Sequence, residues 1–329
     1  MRKRMKLTWI IALLTLFIGE AQGQMLRNTE VVTTSFLQDD EEDGWDEEDE
    51  RGFSITLNLG AYFANKKSAQ VYNGSGVVID GDEFQFVFED DGSGIRYFSI
   101  GERLNPDLFL NQTQSVLDAI GATGLTIPFD SSPANMSYQP AFVIGVNLKY
   151  NFSNTAAVVL DLNTTRLKAV DVFTIQFIGT GQQQNAQNDV RPYTITGEEQ
   201  RIFISLGYRQ AWELKAKNKV YLDFFGNMLM TQLRSNYLTV PSGAAGTSST
   251  GFTDLQLITY SRANNAIAPG QYNPKAGVGF GFGIGPGVEF VLKEKIRMDL
   301  GLIISRDKVK IEQYGDNMIN YQVVARFGI

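Results

Sequence analysis

The chain has 329 residues with a formal charge of −7, 43% of its residues are hydrophobic, and it contains neither histidine nor cysteine. The missing histidine and cysteine exclude Ser-His, Cys-His and Asp-His catalysis, zinc sites built from those ligands, disulfides and lipid attachment at a cysteine. The acidic balance argues against nucleic acid, whose affinity rests on phosphate neutralisation by Lys and Arg.

The first element is an export signal. Arg2, Lys3, Arg4 and Lys6 precede the apolar run Leu7 to Gly19, and Ala21-Gln22-Gly23 offers small residues before Gln24. A basic start, an apolar core too short for a bilayer and a small-residue junction describe a cleaved signal peptide over residues 1–23. Its removal takes four bases and one acid, so −7 becomes −10. Residues 24–52 follow as an acidic periplasmic tail, with acids packed through Asp39 to Glu50. Such density keeps a segment extended. A solvated linker is the plain reading. Trp45, flanked by Asp43 and Asp46, also suits docking to a basic surface, and calcium binding is a third option that lacks proper ligand spacing.

From residue 53 onward, apolar residues recur at every second position in eight segments. They run Phe53 to Phe63, Phe142 to Phe152, Val158 to Leu162, Ile202 to Tyr208, Val220 to Phe224, Val278 to Ile284, Ile296 to Ile304 and Tyr321 to Ile329. A period of two is the strand signature and puts each set on one face. The links at 153–155, 213–219 and 293–295 are short, whereas 65–139, 170–199, 233–275 and 306–317 are long. That alternation predicts an all-β fold: an eight-stranded antiparallel transmembrane β-barrel over 53–329, with short periplasmic turns and long extracellular loops. An even strand count places both termini in the periplasm.

The strand pattern, the Ala-Gln-Gly-Gln junction and the last strand, Asn320 to Ile329, resemble the small outer-membrane barrels of the OmpA and OmpX type, particularly those of Bacteroidota. The resemblance covers residues 53–329 as architecture. It implies a bacterial outer-membrane location. Many such barrels end in an aromatic residue, whereas this chain ends in Ile329 with Phe327 two before it.

If the apolar sets face lipid, Lys149, Asp161, Arg209, Asp223, Glu289, Arg297, Asp299 and Arg326 face inward in one layer near the short turns. Four acids and four bases suit a paired network, and eight strands enclose only enough room for their own side chains. A plugged barrel is expected, with a narrow pore as the alternative. The sixth segment has glycine at every inward position from Gly277 to Gly287, which points to a sharp bend or to close approach of something bulky, such as a loop segment in the lumen.

The first long loop holds a helix candidate with Asn105 as cap, Pro106 and Asp107 in the first turn, and Gly121 as stop. Phe109, Val116, Leu117 and Ile120 share one side and need an apolar surface, either their own loop or a partner protein. Val77 to Phe88 suggests a hairpin around Asp80-Gly81. The acids Asp80, Asp82, Glu83, Glu89, Asp90 and Asp91 read as a soluble loop rather than a carboxylate catalyst. The resulting expectation is a protein without enzymatic activity and without a cofactor or metal. It would act as an accessory or scaffold subunit of an outer-membrane complex, in barrel assembly or type IX secretion. Its partners would be outer-membrane lipid and outer-membrane or periplasmic proteins, not nucleic acid. A narrow pore or small-ligand carrier and a surface adhesin are the alternatives.

Overall fold

The computed structural model describes residues 52–75, 79–80, 83–84, 95–128, 133, 135–180, 189–214, 218–243, 251–262, 265–266, 276–293, 296–311 and 314–328. The export signal, the acidic tail with Trp45, Asp43 and Asp46, and Ile329 lie outside them. So do the side chains of the acids between Asp80 and Asp91.

Eight strands form the wall: β1 (Gly52–Phe63), β2 (Ala141–Ser153), β3 (Ala156–Ile178), β4 (Asp189–Glu213), β5 (Lys219–Ser242), β6 (Gly277–Lys293), β7 (Ile296–Ile311) and β8 (Tyr314–Gly328). Each pairs antiparallel with its neighbour in sequence. β1 also pairs with β8, from Thr56 opposite Gly328 to Phe63 opposite Tyr321, so the ring closes. Closure satisfies every strand through its neighbours and leaves no open edge, the condition for a sheet to cross hydrocarbon.

The outer belt is apolar. Phe53, Leu206, Phe280 and Phe282 are 73%, 60%, 69% and 65% exposed, and Ile55, Leu57, Ile144, Val146, Leu160, Leu300 and Val323 share their face. Aromatics gather towards both rims, with Phe53, Tyr150, Phe152, Tyr208 and Trp212 on the turn side and Phe63, Phe142 and Tyr321 on the loop side. The inward positions at the same heights carry most of the buried polar and charged side chains, beside a small apolar cluster of Phe225, Ile303 and Val324. An apolar exterior around a polar interior inverts the soluble arrangement and is the pattern of a transmembrane barrel. On β4 the belt runs from Ile202 to Trp212. About 11 residues at roughly 3.3 Å each, tilted about 45°, span about 25 Å, the height of a bilayer's hydrocarbon band.

β3, β4 and β5 have 23, 25 and 24 residues, roughly twice what a crossing needs. They rise beyond the belt as a wall on one side of the loop-side mouth. Residues 170–178 and 189–199, expected as loop, are therefore strand, and the expected long link at 306–317 shrinks to a hairpin between Ile311 and Tyr314. The physical reason is a swap of faces. Inside the belt the outward residues are apolar; just above it they turn polar, with Arg166, Lys168, Glu198, Gln200, Arg306, Lys308 and Lys310, although Val172, Ile178 and Val190 stay exposed higher on the wall. There the inward residues become apolar: Leu167, Phe173, Ile175, Phe177, Tyr193, Ile195, Val309 and Ile311. Water replaces lipid outside, so the apolar set moves by one residue while the strand continues. On β5 a bulge between Leu233 and Ser235 adds a further shift, carrying Leu238 and Val240 inward.

The first loop fills this upper, apolar half. Its helices are α1 (Lys66–Ala69), α2 (Ile100–Arg103) and α3 (Pro106–Ile120). The Asn105 side chain accepts the Asp107 N–H at 2.9 Å, Pro106 occupies the first turn and Gly121 closes α3 at φ 70°. Ala69, Tyr72, Ile100, Leu104, Val116 and Leu117 join the inward residues of β3 to β5 in one core. Short strands Ser137–Tyr138 and Gly124–Thr126 pair with the upper edge of β3, and Gly251–Gln256 pairs with that of β5. The wall's edges are thus covered by the chain's own loops. Ile79–Asp80 pairs antiparallel with Glu83–Phe84, as the expected hairpin requires.

Candidate functional site

The lumen is where a pore or carrier would work, and its lining can be followed from the turn side upward. Near the turns every strand contributes a polar side chain to one network: Asn58, Asn147 and Lys149, Asp161, Arg209, Asp223, Glu289, Asp299 and Arg326. Arg209 is its centre. Its Nε and Nη2 donate to the two Asp223 oxygens at 2.7 and 2.9 Å, its Nη1 reaches Asp299 across the barrel at 2.8 Å, and the guanidinium lies 3.6 Å from the Tyr221 ring centroid. Arg326 donates to Asp161 at 3.0 Å and to the Tyr221 hydroxyl at 3.1 Å. Asn58 and Asn147 also donate to Asp161, at 2.8 and 2.9 Å. Lys149 and Arg297 reach Glu289 at 3.0 and 3.4 Å.

Seven of the eight charged positions read from the sequence are buried in this layer. Arg297 sits at its lower border with a side chain 35% exposed. Sequence reading missed the neutral members Asn58, Asn147 and Tyr221, because charge was the criterion and these have none. At the turn-side mouth, a cavity of about 10 Å³ between Lys149, Arg209, Lys219 and Glu289 has room for about one water molecule.

A second buried cluster lies above the first. Arg201 donates to Glu199 at 2.6 Å, to the Tyr62 hydroxyl at 2.9 Å and to the Ser68 hydroxyl at 3.0 Å. Glu199 also accepts from Tyr72 at 2.5 Å and from Tyr138 at 3.0 Å. Ser68 and Tyr72 belong to the first loop, so the ion pair on β4 holds that loop in the barrel. The Tyr72 ring lies against Gly197, where a Cβ would stand 2.1 Å from Cγ of the ring. Beside this cluster Asp307 accepts from Ser305, Asn227 and Asn320 at 2.5, 2.8 and 3.3 Å. Glu199 and Arg201 lie beyond the expected fourth strand, which starts at Ile202. Continuing its two-residue period downward in number from Phe203 would have found both.

The glycine-rich strand has an answer in its neighbours. A Cβ on Gly283 would lie 2.5 Å from the Phe225 ring, and one on Gly287 would lie 2.3 Å from the Tyr221 ring. The bulky group expected there is therefore supplied by β5, whose rings cross the inner surface of β6. No loop segment is needed.

The helix face expected to meet a partner is largely spent on the chain itself. Val116 is fully buried and Leu117 is 8% exposed in the upper core, and Ile120 packs at the margin of that core. The Ser115 hydroxyl lies 3.0 Å from that of Ser242, which fixes α3 against the end of β5. This corrects Val116 and Leu117 as partner-binding candidates: the long inward face of the wall offers the nearest apolar surface. Phe109, at a break in the helix, is half-buried under the Arg103 guanidinium at 4.2 Å, with the Phe98 ring at 5.0 Å.

No family model and no curated protein matches the chain. Among solved structures, Neisserial surface protein A is similar over 84% of this chain and 98% of its own, at 10% identity and a TM-score of 0.32. Ail, the attachment invasion locus protein of Yersinia pestis, solved with the heparin analogue sucrose octasulfate, matches over 84% and 97% at 9% identity and a TM-score of 0.29. At that overlap the likeness adds nothing to what the strand pairing establishes.

Proposed function

We propose that the chain is a non-enzymatic barrel of a bacterial outer membrane that serves as an accessory or scaffold subunit of a protein complex. The short turns would face the periplasm and the β3–β5 wall the exterior. The observation that carries this reading is the filled lumen. An ionic network joins all eight strands at one level, and an apolar core sealed by the first loop fills the next. A conduit needs a continuous wet path, whereas the interior charges of this network are paired with one another. The export signal and the apolar belt support placement in the outer membrane. What remains available for function is the projecting wall and its loops. Val172, Ile178 and Val190 are 50%, 48% and 51% exposed on the outer surface of the wall. Exposed aliphatic side chains beyond the belt suit a protein contact. Assembly of outer-membrane proteins and type IX secretion are the machines such a subunit would serve.

The test is gentle extraction of the tagged full-length protein from native membranes, followed by mass spectrometry of stoichiometric partners. A defined set of partners, lost on Val172→Asp/Val190→Asp, is expected. A protein that comes out alone, or steady single-channel conductance in planar bilayers, would overturn the scaffold. Surface adhesion is the second reading, since the same exposed wall would face the medium. It is favoured if the wall variant loses binding to host or neighbouring cells while its complexes stay intact.

A further inference from the structure

On β7 the outward column Leu300, Leu302, Ile304 continues without a change of phase into Arg306, Lys308 and Lys310, all three exposed. The turn from aliphatic to basic marks the loop-side rim of the belt, the height at which lipid head groups begin. Successive same-face residues are about 7 Å apart, so three cations form a column about 14 Å long. Opposite them on β8 stand Ile319, Asn317 and Gly315, none of them acidic. Phe282, across from Arg306 on β6, is an exposed aromatic of the kind that sits at a membrane interface.

The column has a shape as well as a charge. A Cβ on Gly315 would lie 3.4 Å from Lys310 Cγ and 3.6 Å from Lys308 Cε, so both lysines lean over a residue that leaves the space beneath them empty. None of the three basic side chains makes an ion pair or a hydrogen bond among the described residues. The nearby Asp316 is bound by Lys67, and Arg306 acts on it only at longer range. The contrasting case is β3, where Lys168 stands directly opposite Glu198.

We propose that Arg306, Lys308 and Lys310 bind the phosphate-bearing head group of a membrane lipid, with Gly315 as the floor of the site. The proposal rests on the membrane-spanning reading above and adds a ligand class to it. Bases at a membrane surface bind anionic lipid at about fivefold in affinity each, so removing three costs about a hundredfold.

The test uses full-length protein folded in neutral detergent and titrated with bisphosphorylated lipid A, or with the same lipid after dephosphorylation, with bound lipid read by native mass spectrometry. Wild type is expected to retain the phosphorylated lipid alone. Arg306→Gln/Lys308→Gln/Lys310→Gln should bind about a hundredfold more weakly. Gly315→Asp, which keeps all three bases but puts a carboxylate between two of them, should also bind more weakly. Arg166→Gln/Lys168→Gln should bind as wild type. Unchanged binding in the triple variant, equal loss in the β3 control, or full displacement of the lipid by inorganic phosphate overturns the site. Insertion of each protein into phosphatidylcholine vesicles, read as heat-modifiable mobility, is scored separately. Wild type that fails to insert defeats the membrane reading itself, whereas inserted protein without lipid selectivity defeats only the site.

Discussion

Replacing Arg201 by Met tests whether the first loop is held in the barrel by a buried ion pair. Arg201 and Glu199 are both completely buried, 2.6 Å apart, and among the described residues Glu199 has only the Tyr72 and Tyr138 hydroxyls besides. Removing the guanidinium leaves a carboxylate in a low-dielectric site, a loss of about 3–5 kcal/mol. Two hydroxyl groups, Tyr62 and Ser68, also lose their partner. Adding Glu199→Gln removes the orphaned charge while its amide oxygen still accepts from Tyr72 and Tyr138. The double variant should then lie only about 1–2 kcal/mol below wild type, since what remains is unsatisfied hydroxyls. The second substitution should therefore recover about 1–4 kcal/mol. Urea unfolding in lipid vesicles, followed by fluorescence of Trp212 on the outer face, measures both differences. A double variant as unstable as Arg201→Met, or one whose effects simply add, would show that charge compensation is not what fixes the loop.

The remaining predictions concern close contacts and acid. Gly197→Val puts a methyl group into the Tyr72 ring, and overpacking of this kind costs about 1–3 kcal/mol, so hydrogen exchange over residues 66–75 should quicken while the belt strands stay protected. Gly287→Val collides with Tyr221, on which Arg209 stacks, and should reduce the yield of the heat-modifiable folded form; unchanged yield would mean the rings of β5 can move aside. The hydrogen bond from Lys67 holds the Asp316 carboxyl below the usual carboxylate range, so its stabilisation is present above about pH 4 and fades as the pH falls through the lowered value. Both partners are partly exposed, which limits the effect to under about 1 kcal/mol. Exchange in residues 65–68 should therefore differ between wild type and Asp316→Asn at pH 6 and converge near pH 2.

Much of the belt was legible in the sequence, because lipid outside and polar groups inside impose a two-residue period with a fixed phase. Phe53 to Phe63 and Ile202 to Tyr208 are strands by that period alone, and the alternate positions between the apolar ones locate the acids and bases of the lower network. The sequence could not give their pairing. That Arg209 reaches Asp299 on a strand three places away around the ring depends on barrel diameter and shear, which no single strand encodes.

The upper half is not legible in the sequence, for a related reason. Above the belt the apolar set changes face, so Phe173 to Phe177 and Tyr193 to Ile195 break the phase that identifies the belt strands, and the period by itself makes them loop. Only the tertiary structure shows what those inward residues face: α3 and the turn at Tyr72, folded back into the mouth. It is also what removes Val116 and Leu117 from any surface. Period and phase belong to the chain, but which solvent each face meets is decided by what else has folded beside it.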